Sequence, residues 1–127
     1  MHGNIYFIDE VLHRIGDRAP RALRDAIHRV PRESDGDLPI TRAGEAGYVV
    51  HCVEIAFWFV THDRTLEDSL IYLAQASGDT DTNAAVAGAL LGARYGEVAL
   101  PPRWVDQLIG AAGISKLAEQ LVNGTRL

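Results

Sequence analysis

The run Ser77-Gly78-Asp79-Thr80-Asp81-Thr82-Asn83 places two carboxylates, two hydroxyls and an amide on five consecutive residues directly after a glycine. Oxygen donors of this kind hold a hard cation such as Mg²⁺, Mn²⁺ or Ca²⁺ rather than zinc. The plainer reading is a helix start, because Asp and Thr are favoured at N-caps and in first turns. One cap needs only one such residue, however, and two crowded carboxylates repel unless something positive stands between them. Two familiar loops are excluded by position. Counted from Asp79, the sixth and twelfth places of a calcium-binding loop hold Ala84 and Leu90, where Gly and a bidentate Glu are needed. A phosphate-accepting Asp-x-Asp-x-Thr run belongs at the end of a buried strand, but the preceding Ile71-Tyr72-Leu73-Ala74-Gln75 reads as helix and the fifth place is Asn83.

The elements that must carry this run are helical. Ile8, Val11, Leu12 and Ile15 recur at helical spacing over 5–15, and Leu23, Ile27 and Val30 do so over 20–30, where Pro20 opens the turn. Residues 31–46 are rich in Pro, Gly, Asp and Ser and read as a long loop with little apolar material. From Gly47 to Thr61 the chain is apolar on almost every face, too long for one strand and suited to a buried helix. Thr65 and Asp68 are spaced to cap the next helix, whose stripe is Leu66, Leu70, Leu73 and Ala74. A helix over 81–95 ends at Gly96, and short helices follow from Pro101-Pro102 and over 114–121. No stretch alternates with period two, so the expected fold is all-α, an orthogonal stack of helices with 47–61 and 81–95 at its centre.

Composition narrows the function classes. The chain has 127 residues, of which 47% are apolar and 23% charged, an ordinary globular balance for one domain. Cys52 is the single cysteine, which excludes an internal disulfide and a Cys-based zinc site. Twelve basic against seventeen acidic residues give a net charge of −5, a poor match to a phosphate backbone, so nucleic-acid binding is disfavoured. Residues 1–42 hold seven Arg and seven acids, so the whole excess lies in 43–127, where it suits a cation site. The N-terminal residues lack the pattern of a secretory signal and no apolar run approaches a bilayer span, so a cytoplasmic protein without a membrane segment is expected. Three glycines at four-residue spacing, Gly88, Gly92 and Gly96, sit in or at the end of the 81–95 helix at about 1 kcal/mol each against alanine, which asks for a close neighbour on that face. His51 and His62 are candidate bases, though each is flanked by apolar residues and suits packing. Glu54, inside the apolar helix, needs a partner if it is buried.

Taken in order, Gly47-Tyr48-Val49-Val50-His51, Ala56-Phe57-Trp58, Leu66-Glu67-Asp68-Ser69, Gly78-Asp79-Thr80-Asp81-Thr82-Asn83, Gly92-Ala93-Arg94-Tyr95-Gly96 and Leu100-Pro101-Pro102-Arg103-Trp104 resemble the C-terminal half of the ADP-ribosylglycohydrolase family. The likeness runs without large gaps from about residue 44 to the end. It implies an all-α fold with a pair of Mg²⁺ ions, or Mn²⁺ in some members, and hydrolysis of the glycosidic bond that joins ADP-ribose to an acceptor. On this resemblance Asp79, Asp81 and Thr82 are metal ligands, with Asp81 the catalytic, bridging carboxylate, and Tyr48 and Gly47 lie beside the bound ADP-ribose. Two cations about 3.5–4 Å apart would activate water and hold the ribose hydroxyls.

The departures matter equally. Family members are at least twice as long, and their N-terminal half supplies a Thr-Asp-Asp segment that no part of these 127 residues contains. The sequence therefore divides into 1–43, a helical hairpin and loop of unassigned role, and 44–127, the C-terminal part of the family domain. Two function classes stay open: a Mg²⁺-dependent hydrolase of ADP-ribosylated substrates, or a non-catalytic remnant or subunit of a split enzyme. The expected partners follow: a complementing N-terminal half, or a second copy in a homo-oligomer that covers apolar surface around Val49, Val53, Phe57 and Val60.

Overall fold

The computed structural model describes residues 2–32, 34–41 and 48–124. Among them there are helices and 3₁₀ turns and no strand, so the all-α expectation holds. Seven α-helices follow in order: α1 His2–Ile15, α2 Arg21–Arg29, α3 Val49–Thr61, α4 Leu66–Gln75, α5 Thr80–Tyr95, α6 Pro102–Val105 and α7 Ala111–Val122. None is long and apolar enough to cross a membrane.

The core forms around α3, α4 and α5. Ile55, Ala56, Trp58, Phe59 and Val60 of α3 meet Leu66 and Leu73 of α4 and Ala87 and Leu91 of α5. The α3 and α5 helices run parallel. Near their N-termini the Cys52 thiol faces the Thr82 carbonyl at 3.9 Å, and at their C-terminal ends the Tyr95 hydroxyl donates to the Arg64 carbonyl at 3.3 Å. Thr65 caps α4 as expected, accepting from the Asp68 N–H at 3.0 Å, while its own hydroxyl donates to the Asp68 carboxylate at 2.8 Å. The buried face of α4 differs in one place. Ala74 is exposed and Ser69 takes the interior position, its hydroxyl bonded to the Thr65 carbonyl at 2.7 Å. A small polar side chain that satisfies itself on its own helix enters a core without leaving an orphaned donor.

Two expectations need correction. The loop over 31–46 is neither structureless nor apolar-poor where it is described: it folds into 3₁₀ turns at Val30–Arg32, Asp35–Asp37 and Pro39–Thr41, and Leu38 and Ile40 belong to the core. Short 3₁₀ turns leave no periodic signature, and two buried residues suffice to pin them. The apolar face of α3 is also less open than expected. Val60 is buried, Val53 and Phe57 are half-buried, and Phe7 of α1 lies against Phe57 with ring centroids 6.3 Å apart, so only Val49 of the four stands exposed. The N-terminal helices cover that face, α2 packing on α3 and α1 on α2.

Glu54 finds the partner its burial demands. It is 2% exposed, and Arg29, in the last turn of α2, donates to its Oε1 at 2.7 Å.

Candidate functional site

The parallel packing of α3 and α5 brings their N-termini to one place, and a cavity of about 220 Å³ opens there. Tyr48, Val49, His51 and Cys52 line it from the start of α3, Asp79, Thr82 and Asn83 from the start of α5, and Pro39 and Ile40 from the last 3₁₀ turn. Three residues expected from sequence to share a site, Tyr48, Asp79 and Thr82, therefore share a wall although more than thirty positions separate Tyr48 from the other two. Asp81 does not line the cavity; it is exposed on the first turn of α5 next to Asp79. Gly47 lies outside the described residues.

Backbone geometry decides how these groups point. Residue 79 holds the N-cap position of α5, yet its side chain makes no capping hydrogen bond, so capping does not account for that carboxylate. The Asp81 carboxyl is held below the usual carboxylate range by a side-chain hydrogen bond with Asp79, and then by the backbone N–H groups of Thr82 and of Asp81 itself. Burial pushes the Cys52 thiol up, and the nearby Asp79 charge adds to it. Tyr48 is the N-cap residue of α3, half exposed at the mouth, with its ring edge-on to His51 at 4.9 Å. The positive ends of two helix dipoles face this cavity, an electrostatic setting that favours anionic groups.

The donor set suits a hard cation in type. Asp79 and Asp81 are adjacent carboxylates with a hydroxyl beside them, all oxygen. Among the described residues no group of three or more His, Cys, Asp and Glu converges.

Of the other candidates, His62 is packed, its ring stacked on Trp58 at 4.1 Å and its Nδ1 2.8 Å from the Trp58 carbonyl. His51 lines the cavity, whereas Glu54 does not. Sequence reasoning missed Pro39, Ile40, Cys52 and Asn83 as cavity walls. Asn83 carried a signal, being the amide of the acidic run, but nothing in the sequence joins Pro39 and Ile40 to a loop forty residues later.

Comparison with known proteins bears on the family. A family model described as ADP-ribosylglycohydrolase matches residues 5–127, so the match takes in the N-terminal helices as well as the motifs from residue 44 onward. An ADP-ribosylarginine hydrolase, Tri1, of Pseudomonas putida is 40% identical over 76 residues, covering 60% of this chain and 20% of that protein. The ADP-ribosyl-[dinitrogen reductase] glycohydrolase of Rhodospirillum rubrum is 33% identical over 101 residues, 77% of this chain and 34% of the relative. ADP-ribosylhydrolase ARH3 of Gallus gallus is 35% identical over 72 residues, 57% of this chain and 20% of the relative. This chain thus spans about a fifth to a third of the length of these relatives. No solved structure gives a significant match. The family match over nearly the whole chain, on an all-α fold that brings Tyr48, Asp79 and Thr82 to one cavity, establishes that the chain belongs to the ADP-ribosylglycohydrolase family.

Proposed function

We propose that this chain contributes the Asp79–Thr82 face of a hydrolase site that releases ADP-ribose from a modified acceptor in the cytoplasm. The observation that carries the reading is the shared cavity at the paired N-termini of α3 and α5. Asp79, Asp81 and Thr82 would hold Mg²⁺ or Mn²⁺, with Asp81 as the catalytic carboxylate. Such a cation, when bound, would lower the pKa of a coordinated water and hold the ribose hydroxyls. The chain's own residues do the rest. Tyr48 and Gly47 would lie against the ADP-ribose, with the half-exposed Tyr48 ring at the cavity mouth. The two helix N-termini favour its phosphates electrostatically. Ile40, Ile55 and Val86 give the cavity apolar walls that limit water. In the net reaction water adds across the C1″–acceptor bond, its oxygen joining C1″ and its proton passing to the acceptor. The name of the Tri1 relative points to an arginine side chain as the first acceptor to test.

A second reading, that this chain is a subunit completed by another polypeptide, is favoured by the short count of ligands among the described residues. One assay separates the two: ADP-ribose release from an ADP-ribosylarginine protein by this chain alone, with and without Mg²⁺. Mg²⁺-dependent release that is lost in Asp81→Asn supports the hydrolase. No release by a folded chain that nevertheless binds Mn²⁺ through Asp79 and Asp81 supports the subunit.

A further inference from the structure

We propose that the strap of residues 34–41 is a positioning device for the acidic loop, acting through a contact between its Ile40 carbonyl and Gly78; this rests on reading Asp79 and Asp81 as cation ligands. Gly78 has φ +90°, and a Cβ built on it would stand 2.5 Å from the Ile40 carbonyl oxygen. That distance is shorter than any real Cβ contact, and the obstacle is backbone, which cannot swing aside. Ordinary helix punctuation does not explain it. Gly96 and Gly110 also adopt positive φ, yet a Cβ on either would meet nothing within 4 Å. Gly78 alone among these three combines the backbone conformation that disfavours a side chain with a neighbour that excludes one.

The strap is itself held from several sides. Ser34 and Asp37 close a capping box, with the Asp37 carboxylate accepting from the Ser34 N–H at 2.9 Å and hydroxyl at 2.8 Å. Asp35 pairs at 3.5 Å with Arg64, whose guanidinium lies over the Trp58 and Tyr72 rings at 5.5 and 5.0 Å. Leu38 and Ile40 are anchored in the core. A backbone carbonyl fixed in this way, one residue from Asp79, sets where the acidic loop leaves α4 and enters α5. Pro39 and Ile40 also line the same cavity as Asp79, so the strap is at once wall and backstop.

The test follows backbone amide resonances of the whole chain by NMR in wild type, Gly78→Ala, Pro39→Gly and Gly96→Ala, each titrated with Mn²⁺. Gly96→Ala introduces a side chain at a positive φ without the contact and serves as the control. The proposal expects the amides of 79–83 to move in Gly78→Ala and in Pro39→Gly and to stay in Gly96→Ala. It also expects the Mn²⁺ concentration that broadens them to rise about tenfold to a hundredfold in the first two, the usual effect of losing an outer support of metal ligands. If Gly78→Ala does not fold, Pro39→Gly decides alone. Unmoved 79–83 amides in Pro39→Gly, or a Gly78→Ala no different from Gly96→Ala there, would overturn the strap's role. Wild-type amides that ignore Mn²⁺ would instead remove the cation reading, while the shifts still decide whether the strap sets the loop.

Discussion

Removing the Arg29 guanidinium should cost more than its half-exposed position suggests. Arg29 is 53% exposed, but the carboxylate it holds, on Glu54, is 2% exposed, and Glu54 Oε2 is buried without a hydrogen-bond partner among the described residues. Arg29→Met keeps the aliphatic stem and leaves a buried carboxylate without its 2.7 Å donor. Breaking a buried pair from one side costs about 3–5 kcal/mol. The wet side of this pair screens it, which places the expected loss at about 2–4 kcal/mol. Glu54→Leu removes the charge and fills the space, and should stay within about 1 kcal/mol of wild type. In the Glu54→Leu background Arg29→Met should cost less, for a coupling of up to about 2–4 kcal/mol. Urea unfolding followed by circular dichroism measures all four corners of the cycle. An Arg29→Met loss below about 0.5 kcal/mol with no coupling would refute the argument, since it would show Glu54 solvated in the native state.

Gly92→Ala should raise the thermal midpoint by about 3–5 °C, a helix-propensity gain of about 1 kcal/mol, because a Cβ there meets nothing within 4 Å. A lowered midpoint in scanning calorimetry would show that something occupies that face in solution. Thr65→Ala should lower the midpoint by a similar amount through loss of the α4 cap, read in the same scan. Ile114, Leu117 and Leu121 form an exposed stripe on α7, so sedimentation velocity should show concentration-dependent association that Leu117→Glu abolishes. A monomer at every concentration would count against this surface as a contact between copies.

Much of this was legible because helices announce themselves by period. The stripes of α1 and α2, the length of α3, the Thr65 cap and the Gly96 stop all follow from local residue chemistry, and the structure carries them. The acidic run was legible for a different reason: its residue types are too polar and too crowded for a single cap. What stayed hidden was whatever depends on distance in space. Leu38 and Ile40 sit in a stretch of turn residues, and their burial depends on α3 and α4 passing beside them. The glycine stripe of α5 was read as a close approach, but Gly88 meets only the Leu70 methyls, at 3.5 and 4.0 Å, and Gly92 meets nothing. Spacing shows that a face lacks side chains; it does not show what lies opposite.

The crowding of Asp79 and Asp81 has a partial answer within the chain. The Asp81 carboxyl is held low first by its side-chain hydrogen bond with Asp79 and then by the N–H groups of Thr82 and of Asp81 itself, and the positive end of the α5 dipole adds to this. Helix-start electrostatics nevertheless leave three facts without a reason. They do not require the Asp79 side chain to forgo its capping bond, Tyr48 to stand half exposed across the same cavity, or a backbone carbonyl to be packed where residue 78 would carry a side chain. Asp79, Tyr48 and Ile40 all line one opening. A binding site at this opening, as proposed above, would give all three a reason.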